Sequence, residues 1–249
     1  MAYYIMPPDR ATPAIAPSLA RKERGIGTLY APDGSASSNG IGNNASSALG
    51  GSAESENPTV LPEEALARFH FTFLIRHPKY SIPSYMRCTT PPLSEVTGFL
   101  NFMPSEAGYA ELRRLFDYCR SVATSNAHSS EAVEFCVIDA DDLLANPSGV
   151  LEAFCHDVGL DYDPQMLKWD TDDDHKQAKE AFEKWKGFHD DAISSRGLEA
   201  RQKKEAKSPG QDDEEWTIKF GPENAKVIRE VVDANMEDYN YLKQFALKL

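Results

Sequence analysis

The sequence predicts an α/β domain built on a parallel sheet with helices on both faces. Three observations predict it. The runs "FHFTFLI" (69–75) and "VEFCVI" (133–138) are continuously rich in apolar, aromatic and branched residues, as strands buried on both faces are. Between and after them lie longer stretches with apolar residues at helical spacing. The alternation of the two patterns is that of a parallel sheet whose connections are helices. In such sheets ligands sit at the carboxyl ends of the strands, and Arg76 and Asp139 both follow a strand in that position.

The elements can be justified in order. "LPEEALARF" reads as a short helix with Pro62 near its first turn. The strand over 69–75 ends at Arg76, and Pro78 sets a turn. A helix starting near Lys79 or Tyr80 would hold Pro83 in its first turn, where the missing amide hydrogen costs nothing. In "SEAGYAELRRLFDYCRSV", Tyr109, Leu112, Leu115, Phe116, Cys119 and Val122 make an apolar face, with Ser105 as candidate N-cap. The second strand ends at Asp139. In "NPSGVLEAFCHDVGL", Asn146 suits an N-cap, Pro147 the first helical position and Gly159 the stop. A further helix carries Ala178, Ala181, Phe182 and Trp185. The last starts near Pro222, with Val227, Ile228, Val231, Val232, Tyr239, Leu242 and Phe245 facing inward.

Composition narrows the function. The 249 residues carry a net charge of −13, which argues against a broad nucleic-acid or anionic-membrane surface but not against a small anion site. No apolar run approaches the roughly 20 residues of a membrane span, and "MAYYIMPPDR" lacks a signal-peptide layout. Cysteines 88, 119, 136 and 155 show no C-x-x-C spacing, so neither a zinc ribbon nor a disulfide framework is expected, and a reducing, cytoplasmic setting follows. Residues 31–57 are almost entirely Gly, Ser, Ala and Asn and read as a flexible low-complexity insert. The polar stretch at 199–215 reads as exposed. The α/β domain therefore covers 58–249, after a short segment over 1–30.

The segment "FLIRHPKYSIPSY" carries the chemistry. A guanidinium directly after a buried strand offers a planar fork of donors suited to phosphate or carboxylate. Ser84 follows eight residues later on the next helix, so both side chains can meet one anion. The alternative is structural: Arg76 pairs with a carboxylate and Ser84 bonds its own helix.

Arg76-His77-Pro78 with Ser84 resembles the R-x-P-x-x-x-x-x-S signature of sulfotransferases. "VIDADDLLANPSGVLEAFCHDVGL" is similar to that family's strand, E-D-L, proline and helix segment, with Asp141, Asp142, Leu143 and Pro147 at the matching places. "MLKWD" and "FEKWKGFHDDAISS" resemble a C-terminal W…W…S pattern of a divergent fungal and bacterial subgroup. The resemblance covers about residues 60–249 plus "MAYYIMPP". It implies a P-loop-type fold, the sulfate donor 3′-phosphoadenosine 5′-phosphosulfate as co-substrate, Arg76 and Ser84 as contacts to its 3′-phosphate, and transfer of a sulfuryl group to a small-molecule hydroxyl.

The family's first strand and phosphate loop have no counterpart in these 249 residues. There is no G-x-x-x-x-G-K-[ST] and no lysine-bearing Gly/Ser loop opening a helix. Met1 falls where relatives carry the catalytic histidine. The 1–30 segment thus resembles a remnant of an N-terminally truncated domain, no catalytic residue is assigned, and the chain alone is expected to be inactive. A sheet without that strand would leave an edge open. The alternative is a degenerate or repurposed domain, either binding and regulating or catalysing a different metabolite reaction.

Other motifs are weaker. Asp170, Asp172 and Asp174 fit the first positions of a calcium loop, but His175 and Ala181 stand where Gly and Glu are needed, so a helix dipole explains them better. His175 and His189 have no zinc spacing, and no metal is expected. Trp169 and Trp185 are expected to pack, or alternatively to line an acceptor pocket.

Overall fold

The computed structural model describes residues 57–249 apart from 60, 67, 126–133 and 202–207. The expected segments at 1–30 and 31–57 therefore lie outside the described residues, except Asn57. The fold is mixed α/β. A short helix α1 (Glu63–Leu66) leads into β1 (His70–Ile75), then α2 (Pro78–Cys88), α3 (Leu93–Thr97) and α4 (Tyr109–Ser125). After β2 (Glu134–Asp139) come α5 (Ala140–Ala145), α6 (Pro147–Asp157), α7 (Asp172–Phe182), α8 (Asp190–Ser194), α9 (Pro209–Phe220) and α10 (Pro222–Lys243).

β1 and β2 pair in parallel, His70 opposite Glu134 and Ile75 opposite Asp139. The C-terminal segment begins a third position beside β2: Ala246 bridges Val137 in parallel, and the Leu247 amide donates to the Val137 carbonyl at 2.9 Å. The outer edge of β1 has no partner strand among the described residues, and Leu74 is 59% exposed there.

One face of the pair carries the core. Phe73 and Ile75 are buried, and Phe116 of α4, fully buried, meets Phe73, Phe135 and Phe245 with ring centroids at 5.4, 5.2 and 4.8 Å. Ile228, Val232 and Leu242 of α10 complete this core. Each such side chain stabilises the fold by about 1.5–3 kcal/mol through burial.

Local signals explain most boundaries. Asn146 caps α6 by accepting from the Gly149 amide at 3.1 Å, Pro147 is its first residue, and Gly159 follows its end at φ +72°. Asp172, Asp173 and Asp174 form the first turn of α7, and Thr171 and Asp174 cap it reciprocally, which is the dipole and capping arrangement expected of an acidic helix start.

Several boundaries differ from the sequence expectation. Ser105 caps no long helix. It sits in a 3₁₀ turn (Pro104–Glu106), and α4 starts only at Tyr109, after Gly108 at φ +79° breaks the path. Pro78 does not form a separate turn but is the first residue of α2, capped by His77. Pro83 consequently lies inside α2 rather than in its first turn, and Lys79's carbonyl has no i+4 amide donor. Trp185 lies in a 3₁₀ turn just past α7. The stretch at 199–215 runs into α9, where Asp212, Asp213 and Glu215 are half-buried and Trp216 is buried.

Candidate functional site

A cleft of about 460 Å³ opens beside the carboxyl end of β1, between one face of α2 and one face of α9. Arg76, Lys79, Tyr80, Pro83, Ser84 and Arg87 line one wall. Their spacing is that of a single helical face continued back to the strand end. The opposite wall repeats the spacing: Asp212, Glu215, Trp216, Lys219 and Phe220. Helical periodicity therefore builds both walls, while Pro78, Ile82 and Met86 on the other side of α2 are buried.

The structure brings Arg76 and Ser84 to the same cleft. Among the described residues, the Arg76 guanidinium makes no ion pair and the Ser84 hydroxyl no hydrogen bond. The structural alternative, a carboxylate on Arg76 and a backbone bond from Ser84, does not occur there. Arg76 is held by its backbone instead. Tyr109 donates to the Arg76 carbonyl and accepts from Ser81 Oγ, 2.6 Å away. Burial pushes the Tyr109 hydroxyl above its ordinary pKa, so it stays a donor.

The charge balance of the cleft is local and positive. Arg76, Lys79, Arg87 and Lys219 face Asp212 and Glu215, and Lys219 is paired with Glu215 at 2.5 Å. Lys79 also lies 4.9 Å over the Tyr80 ring. An anion here would meet side-chain cations and a hydroxyl. It would not meet the α2 amides, because the Lys79 amide donates to His77 Nδ1 at 3.2 Å and the Tyr80 and Ser81 amides to the His77 carbonyl. The His77 ring is held between Tyr80 and Tyr239, with centroids 5.9 and 4.9 Å away. Burial, then the Lys79 charge, lowers its pKa, which keeps Nδ1 free to accept.

Trp216 gives the second wall its rigidity. It is buried, and the Arg229 guanidinium sits 4.7 Å over its ring while bonding Asp213 at 2.7 Å and the Pro209 carbonyl at 3.0 Å.

Asp139, at the end of β2, serves a structural role. One oxygen caps α5 by accepting from the Asp141 amide at 2.7 Å. The other accepts from the Tyr239 hydroxyl at 2.8 Å and pairs with Lys243 at 3.0 Å. Lys243 also reaches Asp142 at 2.5 Å. Asp141 beside them has its pKa raised, by burial and then by the Asp139 charge. The acidic "DADD" segment thus pins the end of α10 to the sheet.

Trp169 and Trp185 do not line the cleft. Trp169 donates to Ser195 Oγ at 3.1 Å, and Trp185 packs with Phe99 and Phe188. His175 Nδ1 bonds the Ile193 carbonyl at 2.8 Å, and His189 packs on Phe182. The four cysteines are buried and free.

The α9 wall is the part of the site that sequence reasoning missed. Its signal was present: Ser208-Pro209-Gly210-Gln211 is a capping box with proline at the first helical position, and Trp216 and Phe220 follow one turn apart.

The chain is similar to sulfotransferases over part of its length. Residues 119–198 match the family model described as a sulfotransferase domain. Over 205 residues the chain is 29% identical to "Sulfotransferase ppzF" of Metarhizium majus, covering 80% of this chain and 59% of the relative. The corresponding protein of Metarhizium rileyi is 26% identical over 203 residues, again 80% of this chain and 59% of the relative. A 109-residue stretch, 44% of this chain and 16% of the relative, is 28% identical to "Branched-chain-amino-acid aminotransferase-like protein 1" of Arabidopsis thaliana. The chain thus spans about three fifths of the length of the sulfotransferases it matches. No solved structure matches it. Among the described residues no helix is long and apolar enough to cross a membrane.

Proposed function

We propose that the cleft binds the nucleotide end of 3′-phosphoadenosine 5′-phosphosulfate, with Arg76 and Ser84 on the 3′-phosphate. One observation carries this reading: a strand-end arginine and a helix-borne serine, eight residues apart, face one cleft, and among the described residues neither side chain is otherwise engaged. Lys79 adds charge beside them. The reaction served is transfer of the sulfuryl group to a small-molecule hydroxyl. It would depend on positioning and on stabilising charge at the leaving phosphate.

No Gly-rich, lysine-bearing loop occurs in the 249 residues to cradle the 5′ end, so we expect these residues alone to bind nucleotide without appreciable turnover. We also propose that β1 and β2 belong to a larger parallel sheet with helices on both faces. The outer edge of β1, unpaired among the described residues, and exposed Leu74 support this. The partners proposed are the donor and a small acceptor, not nucleic acid or membrane.

Titrating 3′,5′-adenosine bisphosphate calorimetrically into the wild type and Arg76→Ala tests the reading. Weaker binding in the variant is expected, and equal affinity in both refutes it. A labelled-donor assay with phenols and alcohols tests the expected lack of turnover.

A further inference from the structure

The opposite end of the sheet holds a second cluster. His70 and Thr72 lie on one face of β1, and the parallel register sets them directly beside Glu134 and Cys136 of β2. Asp157, the last residue of α6, reaches over that patch. Metal-ligating atoms of His70, Cys136 and Asp157 all lie within 4.8 Å of one another. His70 Nε2 is 3.2 Å from Asp157 Oδ2, and Nδ1 is 3.4 Å from Glu134 Oε2. Yet neither ring nitrogen, both out of solvent, completes a hydrogen bond among the described residues.

We propose that His70, Cys136 and Asp157 form a binding site for a borderline-soft divalent cation of the zinc class. The donor set is imidazole, thiolate and carboxylate, which is chemistry suited to zinc or cobalt and poorly suited to calcium or magnesium. A tetrahedral zinc centre with bonds of about 2.0–2.3 Å needs ligand atoms roughly 3.3–3.7 Å apart, close to the His70–Asp157 separation. Glu134 Oε2, 3.4 Å from Nδ1, stands where an outer carboxylate would take up Nδ1–H once the cation is bound, leaving the Nε2 lone pair for the metal. The carbonyl end of α6 adds negative potential. Burial raises the Cys136 pKa, so the cation must displace the thiol proton: one metal–sulfur bond forms and one proton leaves to solvent.

The site would cross-link β1, β2 and α6 about 20 Å from Arg76, judged from the six residue steps along the strand from His70 to Arg76. It is therefore independent of the nucleotide reading. Its ligands come from three separate elements, which is why no local spacing in the sequence reveals it.

Cobalt(II) titration of the purified chain, read by absorption, tests the proposal. One equivalent should give a thiolate-to-cobalt charge-transfer band, and zinc should bleach it. Cys136→Ala should abolish the band, and Glu134→Gln should weaken binding about tenfold. Asp157→Asn, at a partly exposed helix end, provides a variant whose folding is not at risk, and it should weaken cobalt binding at least tenfold. A wild type without the band overturns the site, as does a band unchanged in Asp157→Asn or in folded Cys136→Ala.

Discussion

Replacing Arg76 with alanine isolates the one group on which the nucleotide reading depends. The side chain is exposed at the cleft and makes no ion pair among the described residues, so its removal opens no cavity and strands no buried charge. Stability should stay within about 0.5 kcal/mol of wild type, as for surface substitutions away from special contacts. Binding should respond very differently. A hydrogen bond to a charged group contributes about 1.5–3 kcal/mol net. At about 1.4 kcal/mol per tenfold, that is roughly a 10- to 100-fold loss in affinity. Lys79 and Arg87 remain in the wall, and the site is open to water, so the lower part of that range is expected. Arg76→Lys should recover only part of the loss, because a single ammonium cannot reproduce the planar fork. Calorimetry with 3′,5′-adenosine bisphosphate at two ionic strengths gives the numbers, and the wild-type advantage should shrink as salt rises. If Arg76→Ala bound as tightly as wild type at low salt, the assignment of the cleft would fail.

Further outcomes are expected. Ser84→Ala removes one neutral donor and should weaken the same ligand by up to about tenfold, with an unchanged thermal midpoint. Asp139→Ala strands the Tyr239 hydroxyl, leaves Lys243 with Asp142 alone and uncaps α5, so urea unfolding should show a loss of about 2–4 kcal/mol. Lys243→Met alone should cost much less, since Tyr239 and the cap remain on Asp139. Trp216→Ala should cost about 3–5 kcal/mol by emptying a buried site, while Trp216→Phe should retain most of that stability. His77 should make stability depend on pH. Its folded pKa is lowered, so the unfolded chain takes up a proton first as pH falls below 6.5, and stability declines from there toward the folded value. Asp141, with a raised folded pKa, acts in the opposite sense just above 3.8. The comparison is therefore wild type against His77→Ser, which keeps a capping oxygen. The pH 5–7 slope should flatten in the variant, and an unchanged slope would rule out His77 as its source.

The strands, α6 and α10 were legible because local chemistry and tertiary need agree there. The 69–75 run is aromatic and branched throughout, and Asn146-Pro147 fixes the start of α6 whatever packs on it. Arg76 and Ser84 were legible as a pair because their spacing survives a two-residue error in helix start. That error arose at Pro78. His77 caps the helix with a ring nitrogen, a weaker sequence signal than Ser or Asp, so α2 begins earlier than its composition suggests. Ser105 failed for the opposite reason, as a good capping residue followed too soon by a glycine at positive φ. The α9 wall was hidden by composition. "QDDEE" looks solvated, and only Trp216, Ile218 and Phe220 are apolar in that helix, yet one buried tryptophan under Arg229 is enough to seat it. The His70–Cys136–Asp157 cluster depends on strand register, which no single segment encodes.

Helix α2 divides by azimuth into two populations of side chains. Pro78, Ile82, Met86 and Cys88 meet the protein interior, and Lys79, Tyr80, Pro83, Ser84 and Arg87 meet the cleft. Changes in the second set therefore leave the first undisturbed. If the cleft binds nucleotide as proposed, exchanges of charge and size along this wall could alter ligand preference without compensation elsewhere for the domain to keep folding. The limit on that freedom is Tyr109, whose hydroxyl holds the Arg76 backbone and Ser81 together: a change there would move the cleft wall and the fold at once.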